Sequence, residues 1–132
     1  MRLWNWNKYR FLLIVFALMC PFVQADITPS AQAEITLLLD FVEHSPCSFL
    51  RNGKQYPASE ARAHLQSKLD YLLKKNMVKS AEDFIEFAGS KSSLSGRPYE
   101  VNCANRTQTS EAWLQAELER IRSEHQVRPG NP

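Results

Sequence analysis

Apolar residues recur at helical spacing in four stretches of this chain, and short strand-like runs fill the gaps between them. Ile35, Leu38, Leu39 and Val42 fall on one face of a first helix over about Pro29 to Glu43. Thr28 is placed to cap it, and Pro29 suits its first position, where a missing N–H costs nothing. Ala61, Leu65, Leu69 and Leu72 mark a second helix that begins after Pro57-Ala58 with Ser59 as its cap, and Asn76 marks a polar break after it. Ser80-Ala81-Glu82-Asp83 opens a third as a capping-box variant. That helix buries Phe84, Ile85 and Phe87 or Ala88, and ends at Gly89 as a C-cap. Trp113, Leu114, Leu118 and Ile121 define a fourth over about Glu111 to Glu124, capped by Ser110, with Glu117, Arg120 and Glu124 outward.

Between these helices, Ser48 to Arg51 and Lys54 to Tyr56 flank Asn52-Gly53. That dipeptide suits a two-residue turn in which both central residues need positive φ. Pro98 to Cys103 reads as a further strand with proline at its start, and Ala104 to Thr109 as a polar loop.

The N-terminal 25 residues follow a different pattern. Arg2, Lys8 and Arg10 precede ten uninterrupted apolar residues, Phe11 to Cys20, and Val23-Gln24-Ala25 supplies a cleavage signal. The run is about half the length needed to span a bilayer, and Pro21 interrupts it. Met19 before Cys20 does not fit a lipidation site. Residues 1–25 are therefore expected to be a cleaved signal peptide, residues 26–125 a folded domain, and residues 126–132 (QVRPGNP) a disordered tail. The expected location is the periplasm, with no membrane span after cleavage.

Cleavage changes the charge. All 14 acidic residues lie beyond residue 25, while three of the 16 basic ones are lost with the leader, so the formal charge falls from +2 to −1. That balance argues against nucleic acid as a partner. Two cysteines remain, Cys47 and Cys103. In an oxidising compartment an even pair reads as a disulfide, stabilising by roughly 4 kcal/mol through closure of a long loop. The bond brings the start of one strand to the end of another, which fits adjacent antiparallel strands. The fold expected is α+β: one small domain with about four helices and a three-stranded antiparallel sheet, the hairpin's first strand in the middle.

Four separated segments carry a family likeness. They are Phe49-Leu50-Arg51-Asn52-Gly53, then Glu60-Ala61 with His64-Leu65 and Lys68-Leu69, then Ala81 to Ile85, then Ser92 to Tyr99. Over about residues 28–103 the chain resembles the YfeK-like family of small bacterial proteins with signal peptides. The resemblance implies a periplasmic location and brings no activity and no catalytic residues.

Three groups of residues carry candidate chemistry. Ser90, Ser92, Ser93 and Ser95 with Lys91, Gly96 and Arg97 can hold an anion through hydroxyls, backbone N–H groups and cations, or serve as a solvated connector. His64 and Lys68, one helical turn apart, can meet a loop serine in a hydrolase, although no nucleophile elbow is present; the plainer alternative is that His64 flanks the core and Lys68 is solvated. His44, Cys47, His64 and Cys103 have the elements of a metal site, but a disulfide would consume both sulfurs. Arg51 beside the hairpin turn is suited to pairing with a carboxylate or carbonyl. No cofactor or metal is called for. The leading function is a non-enzymatic module binding an envelope protein or envelope component. A small serine hydrolase and an anion-binding module at the serine loop are the alternatives.

The cleavage signal generates the first prediction. Protein recovered from the periplasm should have an intact mass beginning at Asp26, and a mass that retains the first 25 residues would refute the assignment.

Overall fold

In the computed structural model, which describes residues 26–128, the chain forms an antiparallel sheet covered by helices. The proposed leader and residues 129–132 lie outside the described residues. Helix α1, Pro29–His44, starts as expected: Thr28 Oγ1 accepts from the Ala31 N–H at 3.2 Å. Strands β1 (Ser48–Arg51) and β2 (Lys54–Tyr56) follow, joined by Asn52 and Gly53 at φ +52° and +78°. Helix α2 spans Ala58–Lys74. It begins one residue before Ser59, so Pro57 occupies the cap position and no side chain caps the helix.

Helix α3 is short, Ala81–Phe84, and continues as one π-helical turn, Ile85–Gly89. Its capping box is closed in both directions, Ser80 Oγ accepting from the Asp83 N–H and Asp83 Oδ2 accepting from the Ser80 N–H. Ala88 is fully buried and Phe87 is 37% exposed, which settles the two options. Gly89 ends the segment for a reason other than a left-handed cap. Its φ is not positive, and a Cβ there would stand 2.7 Å from Leu114 Cδ1. The glycine permits close approach to the last helix.

Strand β3, Glu100–Cys103, is followed by a strand where a loop was expected. Ala104 and Asn105 turn at φ +51° and +63°, and β4 runs Arg106–Thr109. The turn lacks the Asn-Gly signature because an alanine occupies a left-handed position that costs about 1 kcal/mol. Helix α4, Ser110–Val127, is capped by Thr109 rather than Ser110 and includes Gln126 and Val127, the first two residues of the expected tail.

The fold is thus α+β as expected, with four strands instead of three, in the order β2-β1-β3-β4, all antiparallel. Strand β1 does lie inside the sheet, with Phe49 opposite Tyr56 on one side and Val101 on the other. The Cys47–Cys103 disulfide is formed, with Cα atoms 4.5 Å apart, at the end of the β1–β3 pairing. Phe49 and Val101 face the helices and join Leu38, Val42, Leu65, Leu69, Phe84 and Leu114 in one core. Trp113 stacks on Phe41 at 4.3 Å between centroids and meets Phe49 edge-on.

Glu117 is not outward. It is buried, and Arg120 covers it with two hydrogen bonds of 2.8 and 2.6 Å, so a charged residue occupies a core-facing position only because its partner neutralises it there. Arg122 ties three helices together by pairing with Glu34 of α1 and Glu82 of α3.

Two backbone positions predict opposite stability changes. Gly89→Ala should lower stability by about 1–3 kcal/mol, because fully buried Leu114 has no free space to enter. Ala104→Gly should raise it by about 0.5–1 kcal/mol by relieving a positive φ. Urea unfolding of both variants checks the signs.

Candidate functional site

Residues from the hairpin, α2 and the segment entering β3 meet at one place. Alternation along β1 puts Arg51 on the same side as Phe49, facing α2. On α2, Glu60, His64 and Lys68 follow one another at single-turn intervals, beside the buried stripe of Leu65, Leu69 and Leu72. Tyr99 is buried just before β3, its backbone held by Ser90 on one side and Ser110 on the other.

These groups form a connected chain. Arg51 reaches His64 Nδ1 at 2.6 Å and donates to the Tyr56 hydroxyl at 3.1 Å, with its guanidinium 4.6 Å from the Tyr56 ring centre. His64 Nε2 lies 3.0 Å from the Tyr99 hydroxyl, and Lys68 donates to the Lys91 carbonyl at 2.9 Å and to the Tyr99 hydroxyl at 3.4 Å. Arginine can only donate, so Nδ1 must accept. The imidazole is then neutral with its proton on Nε2, donating to Tyr99.

The electrostatics agree. Burial first, then Arg51 and Lys68, holds the His64 pKa below its ordinary value of 6.5. Burial and Arg51 also lower that of Lys68, and burial raises that of Tyr99. Among the described residues neither Arg51 nor Lys68 makes an ion pair with a carboxylate. Lys54 adds to the positive charge, lying opposite Arg51 across the hairpin and 5.3 Å from the Tyr56 ring.

Beside this cluster is a cavity of about 320 Å³. Phe49, Ala61 and Leu65 give it an apolar wall, and Arg51, His64, Tyr56 and Tyr99 line its polar side, with Glu60 also on the wall. Leu50 and its register partner Glu100 border it too, but each alternates with residues on the helix-facing side and so points to the opposite face of the sheet.

The sequence-based candidates divide accordingly. Arg51, His64 and Lys68 come together, and Arg51 pairs with histidine and tyrosine instead of a carboxylate or carbonyl. Neither His64 nor Lys68 is fully solvated. The serine loop touches this cluster through backbone carbonyls, while three of its hydroxyls are committed within the chain. Ser90 Oγ donates to the Glu86 carbonyl, Ser92 Oγ accepts from Asn52 Nδ2, and Ser95 Oγ donates to Asn52 Oδ1. Ser93 and Arg97 are exposed, and Lys91 contributes its carbonyl to Lys68. His44 bonds the Asp40 carbonyl, and both sulfurs of the considered metal set are in the disulfide. Tyr56, Tyr99 and Glu60 were not singled out from the sequence. The hairpin register signalled Tyr56, and helical spacing from His64 signalled Glu60. Tyr99 depends on a contact 35 residues away from His64.

Residues 29–122 match the family of unknown function DUF5329. The chain belongs to that family. The DUF5329 match runs through the whole site and past Cys103 into α4. The uncharacterized protein YfeK of Salmonella typhimurium is 33% identical over 76 residues, which are 57% of this chain and 62% of that protein. The chain thus spans less than two thirds of this relative's length, and the YfeK-like resemblance read from the four segments is borne out. No solved structure matches the chain.

The His64 geometry predicts a pH dependence. A pKa lower in the folded state means that the unfolded chain binds more protons in the window below 6.5. Stability contributed by neutral His64 is therefore present above that value and is lost as pH falls toward the folded pKa. Protonation would also turn the Nδ1 acceptor into a donor facing Arg51. Melting temperatures measured from about pH 7.5 to about pH 5.5 should fall, and the fall should be shallower in His64→Gln. Parallel curves for the two proteins would contradict the assignment.

Proposed function

We propose that this protein is a non-enzymatic periplasmic binding module, and that its cavity takes a small organic anion with an apolar body. The observation that carries this reading is the company of half-buried cations without a counter-ion. Arg51 and Lys68 are linked through His64 and Tyr99, exposed Lys54 lies opposite Arg51 across the hairpin, and none of the three has a carboxylate partner among the described residues. Gathering like charges on a partly dry wall opposes folding. A bound carboxylate or phosphate would offset that cost and gain charge-assisted hydrogen bonds from Arg51, which has donors beyond those given to His64 and Tyr56. The adjoining apolar wall suits the remainder of such a ligand, in a volume at the small end of ligand pockets.

A non-enzymatic role is favoured over a serine hydrolase because both ring nitrogens of His64 are engaged by Arg51 and Tyr99. The hydroxyls of Ser90, Ser92 and Ser95 likewise hold the loop together. The periplasmic assignment draws on the leader-like N-terminus and on the disulfide, which persists in oxidising compartments. Among the described residues no helix is long and apolar enough to cross a membrane.

Two measurements test the proposal. Titration with 3-phenylpropanoate should shift NMR signals of Arg51, His64 and Leu65, and Arg51→Gln should weaken binding by about tenfold or more. A fluorophosphonate probe should leave Ser90, Ser92, Ser93 and Ser95 unlabelled. Labelling that His64→Ala abolishes would establish the hydrolase instead.

A further inference from the structure

The cavity carries charges of both signs that do not neutralise one another. Arg51 is fixed at one side by Tyr56 and His64. Glu60 lines the same cavity from the first turn of α2, one turn before His64 and on the same face, where the helix dipole stabilises its anion. No ion pair joins Glu60 to Arg51, to Lys68 or to any other cation among the described residues. Arg51 keeps donors to spare, and Glu60 is exposed at the rim. A simple anion would satisfy the first group and be repelled by the second.

From this arrangement we infer that the ligand is a zwitterion: a free apolar α-amino acid. Its carboxylate lies at Arg51 and its ammonium at Glu60, with its side chain against Phe49 and Leu65. The inference rests on the proposed anion-binding role of the cavity and names the ligand class. The two charges of an α-amino acid are separated by a single carbon, so the Glu60 carboxylate must approach the Arg51 side of the cavity. The flexible, solvent-exposed glutamate is the partner that can move, since the arginine is pinned by its stack on Tyr56. Discrimination then comes from leaving a charge unpaired when either ligand group is missing.

The test compares three probes on the full mature chain by calorimetry. They are L-phenylalanine, 3-phenylpropanoate, which lacks the ammonium, and 2-phenylethylamine, which lacks the carboxylate. L-Phenylalanine should bind about tenfold or more tighter than 3-phenylpropanoate, and the amine should bind weakest. In Glu60→Gln the difference between the two acids should collapse, and an unchanged melting temperature would show that the variant is folded. Equal or tighter binding of 3-phenylpropanoate in the unaltered protein would overturn the zwitterion while leaving the anion site intact. Amine binding as tight as that of phenylalanine, or a preference that survives Glu60→Gln, would also overturn it. If neither acid binds, the anion site itself fails.

Discussion

Strand β1 is the piece on which the rest of the fold depends. It is four residues long, yet it pairs with β2 on one side and β3 on the other, and the Cys47–Cys103 bond fixes its junction with β3. Because side chains alternate along a strand, this one register decides two things at once. It sends Phe49 into the core against Trp113, and it turns Arg51 toward α2. Slipping the pairing by one residue would move both to the other face and empty the site together with part of the core. Structure and candidate chemistry therefore share a single geometric constraint.

Around Arg51 the molecule accepts an electrostatic cost that Glu117 and Arg122 avoid. Glu117 is buried under Arg120, and Arg122 is shared between Glu34 and Glu82, so these charges are locally cancelled. On the hairpin side, cations meet an imidazole and two phenols instead. These partners are neutral. They hold Arg51 and Lys68 in place by hydrogen bonding and by contact with ring faces, and leave their charge available. The contrast within one small domain is what distinguishes this region from ordinary surface pairing.

Much of the fold was legible because the relevant signals were local. Helix faces, the Thr28 cap, the Ser80–Asp83 box and the Asn52-Gly53 turn each occupy a few consecutive residues. The fourth strand was missed because its turn uses Ala104, which nothing in the local sequence marks for a positive φ. Glu117 was misplaced because periodicity does not reveal that Arg120 folds back over it. The site was half legible. Arg51, His64 and Lys68 drew attention as polar residues beside apolar positions, but their meeting with Tyr99 joins segments more than 30 positions apart. The serine loop attracted attention by composition, whereas its hydroxyls serve mainly to close the loop and fasten it to the Asn52 turn.

The order β2-β1-β3-β4 leaves two strands with an open side. One is three residues long, carries Lys54 and runs into Pro57; the other is four residues long, starts with Arg106 and is polar and exposed throughout. Short length, charge and a nearby proline are the features that discourage a strand from recruiting a neighbour. The aggregation hazard of a small β-sheet is thereby confined to its interior, where Phe49 and Val101 are already covered. The sheet can remain small without a third layer or a second copy to seal its rims.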